Sequence, residues 1–213
     1  MIFKHLLAAV ALTILGTASL GAQTASEIIR RMSEEMARGD AEGMAMTFVL
    51  KVPALGEISS YSMMRADKSK IEISGKEKNL VVWTDSDTKW EYDLEAGEIA
   101  ISARESLSGM ASQDSDLSRF ENICEGYDPV LQKEDDEAWY ITCRKKKDNH
   151  NKDDFKKMNV VVAKDSFLPL ELSGGEMGFK ISILDFSLGV SEAEVTFRAA
   201  DYPGVRVSDD RQR

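Results

Sequence analysis

The sequence predicts a mainly β protein of the α+β class, built on one large antiparallel sheet that is curled or closed. Three observations support this prediction. Apolar and polar residues alternate in many short segments, turn residues separate most of those segments, and a clear helical period occurs near the start of the chain. The 213 residues suit a single domain, since no repeat or linker marks a second one.

The N-terminal helix is expected over residues 25–38. Its apolar stripe has helical spacing and consists of Ile28, Ile29, Met32 and Met36. Thr24 or Ser26 is the expected N-cap, and Gly39 ends the helix.

Eleven strands are expected after the helix. They are placed at 44–52, 57–65, 70–74, 80–84, 89–93, 98–102, 129–134, 138–144, 157–163, 169–172 and 179–186. The clearest pattern lies in the fifth strand, where Trp90 and Tyr92 share one face and charged residues occupy the other. Residues 106–123 interrupt the strands and are either short helices or a surface loop, and a loop of this length is often functional.

The start of the chain predicts export. Lys4, an apolar run to Leu15 and a series of small residues form a secretory signal peptide over residues 1–22, rather than an uncleaved anchor. The mature protein is then residues 23–213. We expect it to be periplasmic and to carry no lipid anchor, because no cysteine follows the small residues.

Charge and chemistry exclude several classes of function. The net charge of −10 disfavours nucleic-acid binding, which needs clustered Lys and Arg. His150 is the only histidine after residue 22, and neither a nucleophile elbow nor a Cys/His pair is visible. We therefore expect no enzyme activity, no catalytic residues, no metal and no cofactor.

Two cysteines, Cys124 and Cys143, are expected to form a disulfide in an oxidising compartment. A turn centred on residues 133–134 would place them directly opposite each other in a hairpin. A turn centred on residues 135–136 would require the chain to bend back at Gly126 before the two cysteines could meet.

Three blocks of sequence resemble the LolA-type lipoprotein carriers. The first is the strand, Asp-rich turn and Lys-Trp-x-Tyr-Asp order that ends at Asp93. The second is the C-terminal run from Phe197 to Arg211, with Pro203 followed by Gly-Val-x-Val. The third is the corner at Arg65, where Ala66 stands in the position that is usually proline in the family.

The resemblance implies a fold and a function. The fold would be an incomplete β-barrel, a strongly curved antiparallel sheet with the N-terminal helix and short lid helices over its concave face. The function would be to bind acyl chains of lipoprotein cargo and to shuttle them, as a monomer, from an inner-membrane lipoprotein-releasing transporter to an outer-membrane acceptor. The alternative is a periplasmic regulatory domain of the same fold that senses lipid or lipoprotein.

Strand parity and the resemblance together predict the site. The acyl-chain cavity is expected to be lined by Met46, Phe48, Leu50, Tyr61, Met63, Ile71, Ile73, Val82, Trp90 and Tyr92. Arg65 is expected to contact the lid, together with Leu107 and Met110.

Overall fold

The computed structural model describes residues 23–53, 56–75, 79–104, 124–152, 154–175 and 179–211. The predicted signal peptide, the segment 106–123 and its Leu107 and Met110 lie outside these residues.

The helices occupy both ends of the described chain. Helix α1 (Ala25–Ala37) begins at Thr24, whose side chain accepts a hydrogen bond from the Glu27 amide at 3.2 Å, so Thr24 is the N-cap. Helix α1 ends within one residue of the predicted end, with Arg38 as its C-cap. A separate helical turn that was not predicted, α2 (Gly39–Glu42), follows. A third short helix, α3 (Glu192–Val195), and a 3₁₀ turn (Ala199–Asp201) lie near the C-terminus.

In the described part of the chain, twelve strands form one sheet. In chain order they are β1 (Met44–Val52), β2 (Gly56–Arg65), β3 (Lys68–Ser74), β4 (Asn79–Thr84), β5 (Thr88–Asp93), β6 (Glu98–Ala103), β7 (Tyr127–Glu134), β8 (Ala138–Lys145), β9 (Lys157–Ala163), β10 (Pro169–Gly174), β11 (Lys180–Leu188) and β12 (Arg206–Asp209). Their spatial order is β12-β6-β5-β4-β3-β2-β1-β11-β10-β9-β8-β7, so β12 and β7 are the edges and the sheet is not closed into a barrel.

The eleven predicted strands are all present, and the sequence analysis missed the twelfth. Strand β12 pairs with β6 in parallel, whereas the other described strand pairs are antiparallel. The sheet is therefore antiparallel, as predicted, except at this one edge. The C-terminal segment crosses the sheet from β11 to reach β6, and a parallel pair needs such a crossover connection.

The sheet curves around helix α1. The apolar stripe of α1 forms one buried core with side chains from six neighbouring strands, β1 and β7 to β11. This core extends across all six strands on the side of the sheet that carries the 13-residue helix. We call this side of the sheet the α1 face and the other side the opposite face.

Candidate functional site

The predicted cavity residues divide between the two faces of the sheet. In an antiparallel pair, directly paired residues place their side chains on the same face. Met46 belongs to the core under α1, and the register runs from Met46 to Ser62, Ile71 and Val82 in successive strands. The α1 face therefore carries six of the ten residues, namely Met46, Phe48, Leu50, Ile71, Ile73 and Val82.

Of these six residues, Met46 is buried and the other five are partly accessible. Met46 is fully buried beneath the helix, and Phe48 is partly buried at the margin of the same core. The others are half-buried and lie outside that core. Glu91 and Lys89, which form an ion pair at 2.8 Å, border the apolar strip on β5.

A groove runs along β2 on the α1 face. Ser60 lies between Phe48 of β1 and Ile73 of β3, and Ser62 lies between Met46 and Ile71 in the same way. Small side chains between bulky ones on the two neighbouring strands indicate a groove about one strand wide. That width suits a single alkyl chain, whose carbons approach their neighbours to about 4 Å. The groove is accessible at Ser60, which is half-buried, and covered at Ser62, which is only 4 % exposed.

The sequence analysis missed three members of this apolar face. They are Ile58, which pairs with Leu50; Leu80, which pairs with Ile73; and Ile181, which pairs with Leu50 from the other side. Leu80 could have been found by parity, since it lies two residues from Val82 in one strand. Ile58 and Ile181 depend on the pairing register, which strand parity does not reveal.

The other four predicted cavity residues lie on the opposite face, so their assignment to one cavity with Phe48 is wrong. Tyr61 pairs with Thr47, and Met63 pairs with Ala45, one position out of phase with Met46. Met63 is buried in a small core with Ala45, Val190 and Val195. Tyr61 remains 39 % exposed.

Trp90 and Tyr92 hold the C-terminal segment against the opposite face. The ring of Trp90 stacks on Phe197 at 5.3 Å, and Tyr92 meets Tyr202 edge-on at 5.3 Å. Trp83 contacts both Phe197 and Tyr202, so five aromatic rings form one cluster. These rings pack the C-terminal segment against the sheet of the same chain.

Arg65 joins two chain junctions. Its Nη1 donates to the carbonyl oxygens of Glu42 and Val190, each at 2.7 Å. Glu42 precedes β1 and Val190 follows β11, so the side chain ties together the segments that enter and leave the central pair of strands. The lid residues expected beside it, Leu107 and Met110, lie outside the described residues.

The junction is also closely packed. Gly43 has φ +75°, its carbonyl accepts from the Gly189 amide at 3.1 Å, and a Cβ built on it would lie 2.6 Å from the Val190 oxygen. Ala66, at the neighbouring β2–β3 turn, has φ +50°. Proline, which holds φ near −65°, does not fit that position, which accounts for the departure from the family pattern.

Two cavities among the described residues have charged side chains in their walls. One of about 480 Å³ lies beside Arg65 and includes Glu42, Ser191 and Glu192 in its lining. The other, of about 310 Å³, lies on the opposite face and includes Lys70, Glu194, Arg198 and Asp201. Ionised side chains in these walls make both unsuitable for an alkyl chain.

Cys124 and Cys143 are brought together under α1. Both are buried, and their Sγ atoms lie 3.9 Å apart as free thiols. The hairpin turn runs from Asp135 to Ala138, and Cys143 pairs with Pro129. The chain bends at Gly126, whose φ is +77°, as the second of the two predicted arrangements required. The contact between the thiols and their burial raise the pKa of Cys124.

Two further properties concern ions and membranes. In the described ranges, no three side chains of histidine, cysteine, aspartate or glutamate converge in a way that could hold a metal ion. The helices that the structure describes are all too short or too polar to cross a bilayer.

Comparison with known proteins supports the fold. No family model and no curated protein matches the chain. Among solved structures, LprF from Mycobacterium bovis matches with a TM-score of 0.50 at 7 % identity, over 79 % of this chain and 96 % of LprF. The LolA superfamily protein NE2245 from Nitrosomonas europaea matches with a TM-score of 0.36 at 13 % identity, over 84 % of this chain and 100 % of NE2245.

MucB from Pseudomonas aeruginosa, solved as the MucA/MucB complex, matches with a TM-score of 0.45 at 14 % identity, over 80 % of this chain and 61 % of that chain. The curved, unclosed sheet with a helix on one face confirms the predicted LolA-like fold. At these identities the comparisons establish the fold alone.

Proposed function

We propose that the protein is a periplasmic carrier that binds acyl chains of lipoproteins in the groove along β2 on the α1 face. The observation that carries this proposal is the serine-floored channel between two rows of apolar side chains, Phe48 and Met46 on one side and Ile73 and Ile71 on the other. The channel continues the apolar core without any charged side chain among these paired positions.

The groove is suited to reversible binding. Full burial of an acyl chain of ~15 methylenes would contribute roughly 12 kcal/mol, at about 0.8 kcal/mol for each methylene. The half-buried side chains of Phe48 and Ile73 and the hydroxyl group of Ser60 reduce that gain. A carrier requires such a reduction, because a cargo held with the full free energy would not be released.

The carrier would act between two membranes. By resemblance, its partners are an inner-membrane lipoprotein-releasing transporter and an outer-membrane acceptor, and the protein acts as a monomer. The edges of the sheet are compatible with a monomer. Strand β7 contains Pro129 and a bulge between Leu131 and Lys133, which hinder the addition of a strand from another copy.

Filling the groove tests the proposal. Ser60→Phe places a ring in the channel, whereas Ser59→Phe places the same ring on the opposite face of the same strand, since Ser59 pairs with Val49. We expect native mass spectrometry of wild-type protein from the periplasm to show bound lipoprotein or phospholipid. Ser60→Phe should lose that mass, and Ser59→Phe should keep it.

Two results would contradict the proposal. Retention of the lipid by a folded Ser60→Phe variant would show that the groove is not the site. A wild-type protein without lipid, captured instead with a protein partner, would favour the regulatory alternative.

A further inference from the structure

The two ends of the β2 groove differ in a way that bears on how a ligand reaches it. At one end the α1-face positions of β2 continue from Ser62 to Met64, which packs against the core under α1. Ser62 is itself only 4 % exposed, beside the fully buried Met46. Arg65 and its paired residue Lys68 lie on the opposite face. This end is therefore closed by the packing under α1.

The other end of the groove is apolar and accessible. There the α1-face positions continue from Ser60 to Ile58, which is 39 % exposed. Leu50 lies between Ile58 and Ile181 in the register, so three apolar side chains from adjacent strands lie side by side at this end. Phe179, which directly precedes β11, is 49 % exposed at the same end of the sheet.

An alkyl chain that moves between a membrane and the groove follows the path on which the fewest methylenes are exposed to water. Each exposed methylene costs about as much as its burial gains. A continuous apolar path exists past Ile58, Leu50 and Ile181. The Met64 end would force the chain into the close-packed side chains under α1, which are costly to displace.

We infer that the acyl chain enters and leaves the groove at the end formed by Leu50, Ile58 and Ile181, and that Ile58 and Phe179 form its mouth. This inference rests on the proposed function, because it concerns the same groove. The rates of uptake and release then depend on Ile58 and Phe179, two exposed residues that contribute little to the bound state.

Two matched pairs of variants test the mouth. Ile58→Glu is compared with Tyr61→Glu, since the two side chains are equally exposed and lie on opposite faces of one strand. Phe179→Glu is compared with Leu170→Glu, which is 48 % exposed near the far end of the β10–β11 hairpin. The probe is cis-parinaric acid, an 18-carbon fluorescent fatty acid, mixed with the full mature chain in a stopped-flow fluorimeter.

We expect Ile58→Glu and Phe179→Glu to slow both uptake and release by about tenfold, the effect of losing apolar contact with roughly two methylenes during passage. The Kd should stay within about twofold of wild type, because a mouth affects the barrier and not the bound state. Tyr61→Glu and Leu170→Glu should leave the rates unchanged.

The inference is overturned if the mouth variants bind at the wild-type rate, if the control variants slow binding equally, or if the Kd rises in step with the fall in rate. The last result would make Ile58 part of the binding wall. Failure of the proposed function looks different: the wild type would not bind the probe, or Ser60→Phe would bind it as well as the wild type does.

Discussion

Individual residues at the Arg65 junction are constrained by backbone contact. Gly43 has φ +75° and ψ 154°, a backbone conformation essentially restricted to glycine, and a Cβ built on it would lie against the Val190 carbonyl. That carbonyl also accepts from Arg65. Because one oxygen is approached from two sides, the junction has no room for a side chain at position 43.

We predict that Gly43→Ala lowers the free energy of unfolding by roughly 2 kcal/mol or more, from backbone strain of about 1–3 kcal/mol plus the clash with Val190. Gly97→Ala is the control, since Gly97 has φ +62° but nothing within 4 Å of a Cβ. Gly97→Ala should lower the free energy of unfolding only by the backbone strain, without any clash. Equal losses in urea denaturation would show that packing at the junction is unimportant.

The cysteine pair gives a second prediction at this scale. Oxidation should close a Cys124–Cys143 bond, because the two Sγ atoms are already in contact at 3.9 Å. Thiol titration of periplasmic protein under denaturing, non-reducing conditions should then find no free thiol, and two free thiols would refute the bond. Reduction should cost about 3 kcal/mol of stability for a loop of this length, and a Cys124→Ala/Cys143→Ala variant should not respond to reductant.

At the scale of elements, aspartates organise the hairpin turns. Asp85, Asp93 and Asp135 each accept two backbone N–H groups of their own turn through one carboxylate oxygen. A short acceptor at the first turn position satisfies amides that the strand ladder leaves unpaired. The Asp-rich turns that separate strands in the sequence therefore have a direct structural role.

Asp135 makes this role dependent on pH. Hydrogen bonds from the Ala138 amide, the Tyr140 hydroxyl and the Glu137 amide lower the pKa of Asp135. A lowered folded-state pKa stabilises the protein above the ordinary aspartate value of about 3.9, and this stabilisation is lost as the pH falls through the folded value. We expect Asp135→Ala to lower the urea midpoint at pH 7 and to differ less from wild type near pH 3. Asp136→Ala is the control, and a pH-independent difference would contradict the assignment.

The aromatic cluster fixes the last strand. Phe197 stacks between Trp90 and Tyr202, with ring-centroid distances of 5.3 Å and 5.8 Å. The segment that contains Phe197 leads into β12, so this stacking holds the approach to β12 on the opposite face. We predict that Phe197→Ala costs about 2–3 kcal/mol, from two stacked contacts and lost burial, and that amide exchange across Arg206–Asp209 accelerates. Phe179→Ala, at an exposed position, should leave that exchange unchanged. Unchanged exchange in Phe197→Ala would mean that pairing with β6 alone holds β12.

At the scale of the whole molecule, the sheet is covered on different faces in its two halves. Helix α1 covers one face of β1 and β7 to β11, whereas the segment with α3, Phe197 and Tyr202 covers the other face of β2 to β5. The groove along β2 lies where the first cover ends. One extended sheet thus supplies both a stable core and an apolar face that can receive a ligand.

The sequence by itself determined most of the elements and the fold class. Alternation along each strand, turn residues between strands and the stripe of α1 are local patterns, so they can be read without the tertiary structure. The same patterns placed Met46, Phe48 and Leu50 on one face, and Tyr61 with Met63 on one face, and the structure agrees.

Only the tertiary structure decided how those faces combine. A shift of one residue in register moves a strand's whole apolar set to the other side of the sheet. Because Phe48 pairs with Ser60 and not with Tyr61, the ten predicted cavity residues separate into a groove and a packing cluster. The parallel pairing of β12 and the contact between Cys124 and Cys143 are likewise long-range, so they follow from the path of the chain through the sheet and not from any local pattern.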